Sequence, residues 1–520
     1  MISDLYILLL ALILWGLLII GLGPIIKKSK HFSLYGPAIM VKAVRNRGLL
    51  DKFSRIIPKD FTSKLFVVAT YSFLIFGMAF LLYEAYLSLQ IKVSSAPNAA
   101  SFLILPGINP FIPVFYGTFA LVFSVVIHEI MHGVIARKHN ISVKSVGGLF
   151  FVIPIGAFVE PDPDQMAAAD PVVRRRIFAA GPATNIILSI IFFILLVAVL
   201  MPSAQPIHQG LYVTQNLPSS SVASAGIGDG SELISFANYS GQNFSNLEYN
   251  SAISPGTMES AVFFHNGLTT NIKMPAGIYI VSLVPGFPGE KAGLRTGQIF
   301  YSIDGTIIYN MNNLTQKLDS IPPGKTIPVE MINWNQNNGS ESIQVYEITT
   351  VSTYSYYEQV SPLANNPAYR NESFIGFSPA YIGIVGMPIS TLKTLIFGSS
   401  ALSFTRDGVL ETLALPFLGL SPVPSSVMSL FTVGNPLIFW FTVNLFFWLF
   451  WMNFLLGLTN ALPIFVFDGG QFFRDTLLIA SRRPRFKYFA SQKNINKTMM
   501  AVGLLVIFLI IWQIVVPEII

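Results

Sequence analysis

The sequence predicts a polytopic α-helical membrane protein of about six transmembrane helices with an inserted, extracytoplasmic, β-rich region. Three observations carry this reading. Mean hydropathy is +0.59, and 52% of residues are hydrophobic against 11% charged, where soluble domains carry about a quarter charged. Six apolar runs, 5–26, 65–90, 114–136, 177–201, 437–459 and 499–516, approach the roughly 20 residues that cross a bilayer. Between the fourth and fifth runs lies a polar segment, 202–375, rich in Ser, Asn, Gly and Pro, with β-branched alternation at 327–332.

The first run has Asp4 before it and Lys27, Lys28 and Lys30 after it, the reverse of a secretory signal peptide. It is expected to be a retained helix with its N-terminus outside. The connection at 27–64 holds ten Lys/Arg against two acids, and 471–497 holds seven against one. Arg137, Lys138 and Arg174, Arg175 and Arg176 bracket the link between the third and fourth spans. A six-span topology puts these stretches on one side, cytoplasmic by the positive-inside rule. It puts 202–375, with six basic and twelve acidic residues, on the other. The net charge of +6 is therefore a topology signal, and no nucleic-acid partner is expected. Five N-x-S/T sequons, at Asn238, Asn243, Asn313, Asn338 and Asn371, agree with an extracytoplasmic segment.

Segment 376–435 mixes apolar stretches with Pro, Gly and Ser and is expected to lie at the membrane interface. The expected domains are 1–110, with two spans and a basic loop; 111–201; the polar region 202–375; the interfacial 376–435; and 436–520. Within 202–375 the run Ala225-Gly226-Ile227-Gly228-Asp229-Gly230 recurs as Ala292-Gly293-Leu294-Arg295-Thr296-Gly297. Strand-like stretches, turns and Pro-Gly pairs follow each copy at a shared offset of about 67 residues, the mark of an internal repeat. The pattern resembles tandem PDZ domains, which add an extended peptide to a sheet edge; the alternative is a pair of rigid spacers that exclude bulky substrates.

The chemistry is concentrated in His128-Glu129-Ile130-Met131-His132, inside the third apolar run. Histidines four apart share one helix face and reach one Zn²⁺, with the intervening glutamate beside the open position. Ionisable groups at membrane depth are costly and mark function. Cysteine is absent, so the remaining ligand must be His or a carboxylate. His31, His139, His208 and His265 lie in connections or outside. Asp468 is the best candidate: it follows a nearly apolar run, and Pro463, Gly469 and Gly470 break the helix so that its carboxylate can turn back.

The HExxH on one span, Asn460-x-x-Pro463-x₄-Asp468-Gly469 on a later one and PDZ-like modules between them resemble the site-2 protease family of intramembrane zinc metalloproteases. The resemblance covers roughly 110–370 and 437–480. It implies one Zn²⁺ per chain on His128, His132 and Asp468, with Glu129 as catalytic base. It also implies a re-entrant β-hairpin at 146–159 whose edge pairs with substrate, and single-span membrane proteins as substrates within the bilayer. Asn460, Pro463 and Gly469 are candidate auxiliary or substrate-binding residues. The small residues of 180–185, Gly181 among them, permit close helix packing, and Asn185 there is either a structural hydrogen bonder or an active-site neighbour. The expected location is the cell membrane, with the site near the cytoplasmic face. Two rivals remain: a non-proteolytic scaffold with structural zinc and peptide-binding PDZ modules, and a metal transporter.

Overall fold

The computed structural model of the protein describes residues 2–29, 31–35, 38–43, 47–89, 104–151, 153–217, 221–335, 340–360, 365–403 and 405–519. The chain divides into two units. One comprises Met1–Leu89, Val93–Leu195 and Asn444–Ile520, the other Gln90–Lys92 and Leu196–Val443.

In chain order, the main elements of the first unit are α1 (Ile2–Lys28), β1 (Phe32–Tyr35), β2 (Ala38–Ala43), α2 (Arg47–Ile56), α3 (Lys59–Leu87), α4 (Val114–Lys138), β3 (Val143–Phe151), β4 (Ile153–Pro161), α5 (Pro171–Ile194), α6 (Pro436–Ala461, of which this unit takes the part from Asn444), α7 (Asp468–Ala480) and α8 (Gln492–Ile519). Among the described residues, five stretches are long and apolar enough to cross a bilayer: Thr62–Leu87, Val114–Lys138, Pro171–Ser203, Pro436–Ala461 and Gln492–Val516. The first expected span falls on α1, where residues with described side chains contribute a shorter apolar stretch, Ile13–Ile26.

Local chemistry sets the ends of these helices. Asp170 caps α5, accepting a hydrogen bond from the Val172 amide, with Pro171 at the first helical position. Arg137 and Lys138 close α4, complementing its negative C-terminal end. The spans pack through small and aromatic residues. Ala179, Ala180 and Ala183 of α5 are fully buried against Phe66, Ile135, Ala136 and Phe472. Tyr71 meets Phe472 edge-on at 4.7 Å between ring centroids, and Trp512 donates to the Ala85 carbonyl at 3.1 Å.

The β-hairpin expected beside the HExxH helix is present as β3–β4, but it is half of a larger sheet. The order is β1-β2-β3-β4, antiparallel throughout. Strands β1 and β2 come from the basic 27–64 connection, expected to be loop. Lys42 pairs with Gly147, and a Cβ at Gly147 would collide with the Val41 carbonyl, so β2 can dock only against glycine there. Helix α2 from the same connection clamps the end of α4: Arg137 Nε reaches Asp51 at 2.6 Å and Lys138 Nζ donates to the Ser54 carbonyl at 2.6 Å.

The second unit carries the repeat. Strand Leu211–Asn216 is matched by Ile278–Leu283, Glu232–Phe236 by Ile299–Ile303, Tyr239–Ser240 by Thr306–Ile307, and helix Phe244–Asn250 by Met311–Asp319. Hairpins Met258–His265/Leu268–Pro275 and Thr326–Asn335/Ser340–Thr349 complete the two sheets. Each sheet is closed by a strand beyond residue 375, where the expected β-rich segment ended. Phe377–Tyr381 pairs with Ile278–Leu283 starting at Phe377↔Leu283, and Ile384–Pro388 pairs with Leu211–Asn216 starting at Ile384↔Asn216. The register is the same in both, because Asn216 and Leu283 are themselves 67 residues apart. The second module is thus inserted between the Leu268–Pro275 strand of the first and the strand that closes it. One continuous core runs through both, including Phe236, Phe263, Phe300 and Ile327. From residue 389 to 435 the described helices have nine residues or fewer, too short to cross a bilayer.

Candidate metal centre

Helix α4 presents His128 and His132 one turn apart on its buried face, with the imidazoles edge to face at 4.9 Å between centroids. The third group arrives from the far end of the sequence. Helix α6 stops at Ala461, two residues before Pro463, and the chain folds through a tight turn into α7, whose first residue is Asp468. The glycines allow this return: a Cβ at Gly469 would strike the Ala461 and Leu462 carbonyls, and one at Gly470 the Ile464 carbonyl. Asp468 Oδ2 ends 2.9 Å from both His128 Nε2 and His132 Nε2. His128, His132 and Asp468 form a set of three potential ligand atoms within 4.8 Å of one another.

The surroundings hold these atoms in place. His132 Nδ1 lies 2.7 Å from the Ile177 carbonyl. A proton on Nδ1 donates there, leaving the Nε2 lone pair for a ligand, the usual outer arrangement of a metal-bound histidine. Beneath both rings sits Gly181 of α5, where a Cβ would collide with His128 Nε2 and His132 Nε2. The sequence places Gly181 in a run of small residues suited to helix packing; the structure shows that the space it leaves belongs to the imidazoles. Gly133, next to His132, plays a similar part: a Cβ there would sit 2.8 Å from Val159 Cγ1, so β4 can lie against α4.

Glu129, between the histidines, accepts a hydrogen bond from the Val159 amide of β4 at 3.0 Å. Strand β4 is terminal in its sheet, so Val159 directs its N–H away from β3 and toward α4. Asn460 donates back to the Leu456 carbonyl of its own helix at 3.0 Å, and Pro463 is buried in the turn. Asn185 is fully buried, and neither of its amide atoms has a hydrogen-bond partner among the described residues. It lies one turn along α5 from Gly181.

The sequence pattern of Peptidase family M50 matches residues 116–509, a stretch that takes in α4, both sheets of the second unit and α7. The chain belongs to peptidase family M50, the site-2 protease family. An uncharacterized protein of Methanocaldococcus jannaschii is 28% identical over 183 residues, 35% of this chain and 48% of the relative. The chain thus spans about half the length of that curated relative.

Family M50 is a family of metalloproteases, and the donor set fits such a centre. Two imidazole nitrogens and a carboxylate oxygen converge, leaving one position of a tetrahedral ion open. Glu129, between the two histidines in sequence, is not one of the three converging groups and accepts from the Val159 amide instead.

Proposed function

We propose that this M50 peptidase is a zinc endopeptidase that hydrolyses peptide bonds within or near the transmembrane segments of membrane-anchored proteins. The observation that carries the reading is the meeting of His128, His132 and Asp468 at the end of membrane-length helices, with Glu129 one residue from the first histidine. When bound, zinc lowers the pKa of its water to about 7 and polarises the scissile carbonyl. The Glu129 carboxylate would accept the proton of the attacking water and pass it to the leaving amine. A transmembrane helix hides its carbonyls in its own hydrogen bonds, so the scissile segment must unwind, and the exposed groups need partners that lipid cannot supply. The outer edge of β4 can offer them by strand addition at positions other than the Val159 amide, which Glu129 already holds. Water would enter from the cytoplasmic side, where the basic connections place this end of α4. Six spans, a cell-membrane location and an extracytoplasmic second unit complete the reading.

The repeated modules of the second unit are read as PDZ-like. A cleft of about 570 Å³ opens in the first, lined by Leu211, Leu233, Phe244, Leu247, Ile384 and Val385 among others. At the matching positions of the second module, Phe300 replaces Leu233 and Phe377 replaces Ile384, and these rings pack 4.8 Å apart between centroids. The first module is therefore the one suited to an extended peptide or a peptide C-terminus.

The deciding experiment is Glu129→Gln in the full chain, reconstituted in liposomes with a single-span substrate. Zinc content should stay at one per chain while cleavage falls by at least about 10²-fold. Wild-type cleavage by this variant would sink the mechanism. The scaffold reading predicts that no single-span protein is cut by the wild type.

A further inference from the structure

The carboxylate ligand rides on α7, a helix of 13 residues cut off from α6 by the turn at Pro463. The turn itself ties down only the start of α7, where Gln471 Nε2 also donates to the Phe465 carbonyl at 3.3 Å, and the body of the helix must be held along its axis by its neighbours. Apolar packing at Phe472 resists separation of the helices but discriminates weakly against sliding. Directional contacts of the helix body exist, most of them along the seam with α5 and one, at Thr476, with α3. Arg174 grips Asp475 as a fork: Nη2 is 2.6 Å from Oδ1, and Nε lies 3.2 Å and 3.1 Å from Oδ1 and Oδ2. Asp475 is 1% exposed. The Arg174 Nη1 in turn donates to the Ala169 carbonyl at 3.2 Å, which fixes the guanidinium to the start of α5. Arg482 reaches Asp170 at 2.6 Å further along. Arg175 donates to the Tyr71 hydroxyl at 3.0 Å, and that hydroxyl lies 2.7 Å from the Thr476 hydroxyl.

The spacing ties the fork to the metal centre. Partners run in opposite order, Asp170 with Arg482 and Arg174 with Asp475, so α5 and α7 are antiparallel. Seven residues on from Arg174 is Gly181, the floor beneath the two imidazoles. Seven residues back from Asp475 is Asp468. Seven residues make two turns and about 10 Å on one face of each helix. Sliding α7 by one residue would move Asp468 by about 1.5 Å along the axis and about 100° around it, whereas ligand distances tolerate about 0.2 Å. We propose that the Arg174–Asp475 pair is a positioning element of the metal centre, which sets the register of α7 on α5 and so the place of the Asp468 carboxylate against His128 and His132.

This inference rests on the zinc reading above, so its test reads zinc binding apart from cleavage. The full chain is prepared in detergent in the Glu129→Gln background, and the zinc dissociation constant is measured by competition with a chromophoric chelator. Asp475→Asn and Arg174→Lys, which keeps the charge but loses the fork, should each raise that constant by about 10-fold. In the wild-type background the same variants should lower kcat with KM unchanged. Leu477→Ala, on the face of α7 turned toward Met499 and Ile495 of α8, is the control for general loosening and should leave zinc affinity within about twofold. If wild type binds no zinc, the metal reading itself fails. If wild type binds zinc and Arg174→Lys binds it equally well, or Leu477→Ala weakens it as much, the positioning role is overturned. Should Asp475→Asn fail to fold, Arg174→Lys decides alone.

Discussion

Alanine at Gly181 is the smallest change that should empty the metal centre. The added methyl would fall against His128 Nε2 and His132 Nε2 at well under 3 Å, where carbon contacts settle at about 3.5–4.0 Å. Each imidazole must retreat by roughly 1 Å to restore ordinary separation. Metal–ligand distances hold to about 0.2 Å, so the displacement is about five times what the centre accepts. His132 cannot absorb it cheaply, because its Nδ1 is tied to the Ile177 carbonyl of the same helix that carries the methyl. The expected result is loss of zinc by at least about 100-fold in affinity, with helix content unchanged by circular dichroism. Gly21→Ala in α1, where a Cβ meets nothing within 4 Å, serves as the control. Metal analysis of the purified protein after dialysis against a dilute chelator reads the outcome. One tightly held zinc per chain in Gly181→Ala would refute the reasoning, since it would mean the imidazoles do not occupy that space when metal is bound.

Other outcomes follow from the same geometry. Asp468→Ala leaves two histidines and should reduce bound zinc below one per chain, with a lower thermal midpoint that added zinc no longer raises; undiminished metal would remove Asp468 from the ligand set. In the second unit Glu232 is fully buried, and burial raises its carboxyl pKa above the ordinary range. A raised carboxyl contributes stability that is present below the unfolded pKa of about 4.3 and is lost as pH rises through the folded value. His208 Nδ1 at 3.5 Å and the Gly210 amide at 2.7 Å offset part of that loss. Glu232→Gln should therefore flatten the fall in thermal midpoint between pH 4 and pH 8, and equal slopes in variant and wild type would contradict this. Leu233→Phe installs in the first module the ring found at Phe300 of the second. It should abolish binding of a fluorescent peptide to the cleft, read by anisotropy, at a stability cost of about 1–3 kcal/mol for overpacking; unchanged anisotropy would argue that the peptide binds elsewhere.

How much of this could be read from the chain depended on the range of the forces involved. His128 and His132 were legible because helical periodicity is local. Asp468 was legible because a carboxylate beside so apolar a run needs a partner wherever it lies. The 67-residue repeat was visible in its glycines, since several of them, Gly226, Gly293 and Gly297 among them, adopt positive φ in the turns before each strand. The strands that close each module were not legible. They are five residues each, contain Pro379 and Pro388, and pair with strands about 100 and 170 residues upstream. The N-terminal hairpin was hidden by its own charge, since Lys42 and its neighbours read as a basic loop. Gly181 was seen as a packing residue because sequence shows that space is left but not which side chain fills it.

The insertion of one module into the other also sets an order of events during synthesis. The first module has all but one of its strands once Pro275 has left the ribosome, yet its closing strand begins only at Ile384, 109 residues later. At about 5–20 residues per second the wait is on the order of 5–20 s. Through that interval the strand Leu211–Asn216 is an unpaired edge, open to wrong partners. The second module is closed by Phe377–Tyr381, so the inner module is finished just before the outer one. A ribosome paused anywhere between Ile278 and Phe377 would hold both incomplete at once, so slow translation of that stretch lengthens the exposure of the open edge.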